Sequence, residues 1–177
     1  GDIDTLRRTL NNYLTHYVDL GYTEIPFSVG NSPNLDIVPL VGAPTFAEGF
    51  TSFVYTFSGC YNLKKIPPLP STLTDMTFAF RSCTSLVTAP QIPANVTNMS
   101  GTFSRCPNLI SVEIPNGVTN ITVAFSNCTS LREAPVIPNS VTSMLQAFSG
   151  CTSLITPPTI PSNVTDLDRV FENCTSL

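Results

Sequence analysis

The residues best suited by type to do chemistry are six cysteines, Cys60, Cys83, Cys106, Cys128, Cys151 and Cys174. A thiol can pair as a disulfide, hold zinc or act as a nucleophile. Spacing separates these uses. Each Cys has a Phe three residues before it and a Leu three residues after, as in Phe103/Cys106/Leu109, so all six fall at one place in successive copies of a repeat and face one interior. Stacked chain segments lie about 5 Å apart, within Cα reach of a disulfide, but side chains that leave the backbone in parallel do not converge. Zinc needs ligands gathered rather than strung along a line. The expectation is a ladder of unpaired thiols acting as small apolar side chains, with no metal and no cofactor.

Catalysis finds no other foothold. The one histidine, His16, has no nucleophile in its neighbourhood, and there is no HExxH, no phosphate-cradling glycine loop and no calcium nonapeptide. Asp166, Asp168 and Glu172 read as solvated surface acids. The recurring Thr51, Thr74, Thr97, Thr119, Thr142 and Thr165 predict hydroxyls that bond the turn backbone or one another. An ice-binding array would want two outward Thr separated by one residue in each copy, and Thr97-Asn98-Met99 does not supply it. N-x-[ST] sequons such as Asn95-Val96-Thr97 recur because the repeat recurs.

Binding should use positions that vary while the frame stays fixed. The two residues after each repeat Leu do so: Lys64/Lys65, Val87/Thr88, Ile110/Ser111, Arg132/Glu133 and Ile155/Thr156, continued by Gln91, Glu113, Val136 and Thr159. A strip of mixed apolar and polar side chains suits a protein surface better than a phosphate or a small molecule. The same variation also fits tolerant surface positions.

The element that must position this strip is the repeat itself. Phe57, Phe80, Phe103, Phe125, Phe148 and Phe171 recur 23 residues apart, once 22, which marks a solenoid of stacked coils. Phe, Cys and Leu spaced by three suit one tight helical turn, and the Pro of Ile92-Pro93, Ile114-Pro115, Ile137-Pro138 and Ile160-Pro161 forbids continuing it. Ahead of the repeats, residues 3–20 predict an amphipathic helix, with Ile3, Leu6, Leu10, Tyr13, Leu14, Tyr17 and Val18 on one face and His16 on the polar side. Residues 1–36 are thus expected to form an N-terminal helix and capping segment, and 37–177 a solenoid whose first coil is degenerate and whose last is incomplete. Tyr22 to Phe27 reads as a short edge strand, and Phe46, Phe50 and Phe53 are expected to meet Leu10, Leu14 and Val18.

Only 11% of residues are charged, net −4, and Lys64 and Lys65 are the only lysines, so there is no electrostatic footprint for nucleic acid or an anionic membrane. No apolar run approaches the roughly 20 residues that span a bilayer, and acids stand where a signal peptide carries Lys or Arg. A signal or anchor, if the natural protein has one, is expected outside these residues.

Stretches such as Ala124-Phe125-Ser126-Asn127-Cys128-Thr129-Ser130-Leu131, followed by Ile137-Pro138-Asn139-Ser140-Val141-Thr142, resemble the BspA-like leucine-rich repeats of bacterial surface proteins. Ala89-Pro90 and Pro157-Pro158 resemble the A-P-x-I-P variant of that repeat. The resemblance covers about four-fifths of the chain, leaving residues 1–36 outside. It implies a right-handed solenoid with short parallel strands and no catalytic motif. It also implies a secreted or cell-surface setting in adhesion, with a host or matrix protein or a surface glycan as partner. The competing class is a structural subunit of a fibre, appendage or virion, joined through the cap helix or through the C-terminal coil edge, Cys174 to Leu177.

Overall fold

The computed structural model describes residues 49–61, 63, 64, 66 and 68–177. The expected helix over 3–20, the edge strand at Tyr22 to Phe27 and the contacts of Phe46, Phe50 and Phe53 with Leu10, Leu14 and Val18 lie outside the described residues, as does Lys65.

Each coil runs through two pairing columns joined by turns. In the first column Ser52, Asp75, Asn98, Asn120, Ser143 and Asp166 pair in parallel, each with its neighbour in the next coil. In the second, Thr88 pairs with Ser111 and Glu133 with Thr156, again in parallel. Among the described residues, strand-like structure is therefore limited to single-residue bridges, less than the short strands expected. Two reasons are local: Pro follows Ile, or Leu69 in the first regular coil, at every corner, and turns close on either side of each bridge.

The Phe-x-x-Cys-x-x-Leu stretch corrects the expectation of a helical turn. Between Met76 and Leu86 the N–H groups of Ala79, Arg81, Cys83 and Leu86 bond back three residues, to the carbonyls of Met76, Phe78, Phe80 and Cys83. Those of Met76, Phe78, Phe80 and Ser82 instead reach the carbonyls of Asn98, Ser100, Thr102 and Ser104 in the next coil, at 2.8–2.9 Å. A helix would turn every amide inward along its own axis. Here a left-handed residue recurs every fourth position, Phe78 at φ 52° and Ser82 at φ 58°, and swings alternate amides towards the neighbour. The same two columns continue at Gly101 and Arg105, Val123 and Asn127, Gln146 and Gly150, and Arg169 and Asn173. No helix occurs among the described residues.

Side chains fill the interior in columns. Phe57, Phe80, Phe103, Phe125, Phe148 and Phe171 stack as near-parallel rings with centroids 5.3–6.2 Å apart, a favourable aromatic separation. Leu63, Leu86, Leu109, Leu131 and Leu154 form a second fully buried column, and Leu73, Val96, Val118 and Val141 a third. The polar columns knit the turns. Thr74, Thr97, Thr119, Thr142 and Thr165 each donate Oγ1–H to the carbonyl of the Thr one coil earlier, at 3.1–3.5 Å, so the Thr ladder bonds backbone as expected. Asp75, Asn98 and Asn120 accept the N–H two residues on at 2.8–2.9 Å, fixing the entry to each turn run.

Candidate functional site

The thiol column holds the residues richest in potential chemistry. Cys60, Cys83, Cys106, Cys128 and Cys151 are buried, Cys174 is half-buried, and all six are free. Each thiol from Cys83 onward donates S–H to the carbonyl of the Phe in the preceding coil, at 3.0–3.3 Å. The cysteine thus fills a small apolar site and also gives that carbonyl a second donor. Burial pushes Cys60, Cys106 and Cys151 up to about 12 and raises Cys83, Cys128 and Cys174 as well. A thiol held protonated in this way is neither a nucleophile nor a metal ligand at neutral pH. No group of acids, His and Cys able to hold a metal occurs among the described residues. Asp166 is half-buried and takes the Asp168 N–H at 3.2 Å, while Asp168 and Glu172 are exposed.

The variable strip lies outside the second column. Lys64, Val87, Thr88, Ile110, Ser111, Arg132, Glu133, Ile155 and Thr156 are all exposed. Its apolar members are bare to an unusual degree, Val87 at 45%, Ile110 at 53% and Ile155 at 51%, while the Leu beside each is fully buried. Val87 and Ile110 are joined by the Ile110 N–H to Val87 carbonyl bond at 2.9 Å, and Ile155 and Arg132 by the same bond at the same length.

The strip is not continuous, which the sequence reading did not anticipate. Ser111 makes no bridge to Glu133, and no backbone hydrogen bond joins Ile110 to Arg132. The reason is the one 22-residue coil. Leu86 and Ile92 are six residues apart but Leu109 and Ile114 only five, so the short coil lacks one residue of the A-P-x stretch and leaves the register of its neighbours. The face is therefore two stations: Val87, Thr88, Ile110 and Ser111, then Arg132, Glu133, Ile155 and Thr156. Beside each runs a groove along the Ile-Pro corners. One, of about 480 Å³, is lined by residues including Gln91, Asn95 and Glu113. The other, of about 390 Å³, is walled by Pro135, Pro157, Pro158 and Pro161 around Val136, which is 87% exposed. The signal for the break was present in the sequence, as the single short period.

An aromatic group on the turn face was also missed. The Tyr55 and Phe78 rings stack at 5.0 Å, and the Arg81 guanidinium carbon lies 5.7 Å from the Phe78 centroid. Tyr55 and Phe78 hang from left-handed positions, so their direction depends on the turn run and not on a helical or strand period.

A parallel-paired solenoid with a buried Leu column, an interior Phe stack and a variable outer face defines a leucine-rich repeat protein. The BspA type leucine rich repeat region matches residues 53–177 in six copies, and the chain belongs to that family. Among solved structures it is similar to the Treponema pallidum leucine rich repeat protein, at 27% identity and TM-score 0.64, covering 75% of this chain and 63% of that one. It is also similar to a leucine rich cell surface protein of Faecalibacterium prausnitzii, at 28% identity and TM-score 0.58, covering 67% and 32%. A leucine-rich repeat protein of Bacteroides ovatus aligns at 30% identity and TM-score 0.53, covering 73% and 40%. The chain thus spans less than two thirds of the length of each. No curated protein matches it. No helix among the described residues is long and apolar enough to cross a membrane.

Proposed function

We propose that this chain is a non-enzymatic protein-binding module that works in adhesion at a cell surface or outside the cell. One observation carries the reading: side chains on the strip are exposed and differ from coil to coil, while the columns behind them are buried and repeat. Val87, Ile110 and Ile155 present apolar area without a role in the core, flanked by Lys64, Arg132 and Glu133, and such a mixture suits a protein partner. The likeness to the leucine rich cell surface protein of Faecalibacterium prausnitzii supports the location. The same reading carries a right-handed winding and an N-terminal helix over the first coil.

The test is binding of the purified chain to immobilised matrix proteins, host-cell surface proteins and glycans, beside a Val87→Asp/Ile110→Asp/Ile155→Asp variant. The variant is expected to keep its melting temperature and lose binding. Unchanged binding would sink the strip as the binding face. Light scattering across a wide concentration range accompanies it: a mass that climbs with concentration would favour the structural-subunit reading over the adhesin.

A further inference from the structure

The one Asn-Gly pair in the sequence, Asn116-Gly117, sits at the corner turn of the short coil. Both residues are exposed, and Gly117 is at φ +104°, with the nearest atom to a built Cβ being the Ala94 carbonyl at 4.0 Å. One position on, in the register of Gly117, Asn95 donates to the Ser71 carbonyl at 3.2 Å and Asn163 to the Asn139 carbonyl at 3.3 Å. Among the described residues nothing bonds the Asn116 side chain. Gly117 N–H, however, donates to Ser140 Oγ of the next coil at 3.1 Å, and the Ser140 hydroxyl donates in turn to the Val118 carbonyl at 2.7 Å.

We propose that Asn116-Gly117 is a site of spontaneous backbone modification whose rate is set by the Ser140 hydroxyl. The Gly117 amide nitrogen gives up its proton to hydroxide and attacks Asn116 Cγ. The new N–Cγ bond closes a five-membered succinimide, the Cγ–Nδ2 bond breaks, and ammonia leaves. Water then opens the ring at either carbonyl, giving aspartate or an isoaspartate whose main chain runs through the former side chain. Nothing is oxidised or reduced. Glycine permits the reaction because no Cβ shields its nitrogen. Ser140 restrains it in two ways: it holds the proton that must leave, and its own bond to Val118 keeps the Oγ lone pair aimed at Gly117. Glu113 and Pro115 of the same coil line the larger groove, so conversion adds a negative charge near its rim, and the succinimide, whose nitrogen carries no proton, lacks the bond to Ser140.

Incubation in mildly alkaline buffer at physiological temperature, followed by peptide mapping and isoaspartate-specific enzymatic labelling, tests this. Wild type, Ser140→Ala, Ser140→Thr and Gly117→Ala are compared folded, and wild type also unfolded in urea. In urea Asn116 should convert ahead of every other asparagine. Folded wild type and Ser140→Thr should convert more slowly, Ser140→Ala several-fold faster than either, and Gly117→Ala negligibly. Equal rates in folded wild type and Ser140→Ala would overturn the role of Ser140, as would a rise seen only where circular dichroism shows that Ser140→Ala has melted. Another asparagine converting first in urea would overturn the site.

Discussion

Raising the pH should unfold this chain through its thiols, and the steepness of the effect counts them. Five cysteines, Cys60, Cys83, Cys106, Cys128 and Cys151, are buried without a disulfide. Burial pushes three of them, Cys60, Cys106 and Cys151, up to about 12 and raises the other two, from an ordinary value of 9.0. A raised thiol stays protonated in the folded chain while the unfolded chain loses its proton. The stability each contributes is whole below about pH 9 and is lost as pH climbs towards the folded value. In that window each proton held only by the folded state lowers stability by about 1.4 kcal/mol per pH unit, so five give about 7 kcal/mol per unit. Domains are stable by about 5–15 kcal/mol, so unfolding should fall roughly one to two units above pH 9.

The assay is urea unfolding at several pH values, read by far-ultraviolet circular dichroism, with brief iodoacetamide pulses to mark reactive thiols. A Cys83→Ala/Cys106→Ala/Cys128→Ala variant retains two buried thiols, and its slope should fall to about 3 kcal/mol per pH unit even though it is less stable at neutral pH. Half-buried Cys174 should be alkylated before the rest. Alkylation of the interior thiols near pH 9 with an unchanged folded spectrum would refute the reasoning, as would equal slopes in the two proteins.

Other expectations follow from the left-handed columns and the core. A Cβ on Gly101 would overlap the Phe78 ring at a φ of +62°, so Gly101→Ala should cost about 2–5 kcal/mol in chemical unfolding, and much of that should return in Phe78→Ala/Gly101→Ala. Val123 is a β-branched residue at φ 49°, and Val123→Gly should raise stability by up to about 1 kcal/mol, once relief of the left-handed cost is set against the entropy of glycine. Phe103→Ala removes a fully buried ring from the middle of the stack and should cost about 3–5 kcal/mol, with thermal melting as the measure. Gly117→Ala and Ser140→Ala should not be additive in stability, since an alanine strained at a φ of +104° turns its N–H away from Ser140 Oγ and so loses the bond that Ser140→Ala also removes, and a double-mutant cycle measures the coupling.

The sequence by itself determined what depends on residue type at a fixed period. The coil count, the Phe, Cys and Leu columns and the free thiols could all be read from it, because identical side chains 23 residues apart in a stack must share one environment. The outward strip was named residue by residue from the same logic. What tertiary structure decided is where the backbone hydrogen bonds go. Phe78 N–H finds Ser100 in another coil and not a carbonyl of its own turn, so a spacing that suits a helix builds a run of left-handed turns. Likewise the shorter gap between Leu109 and Ile114 is visible as a number, but only the neighbouring coils turn it into a broken ladder and divide the strip. Local sequence fixes which groups need partners, whereas packing against the next coil fixes which partners they find.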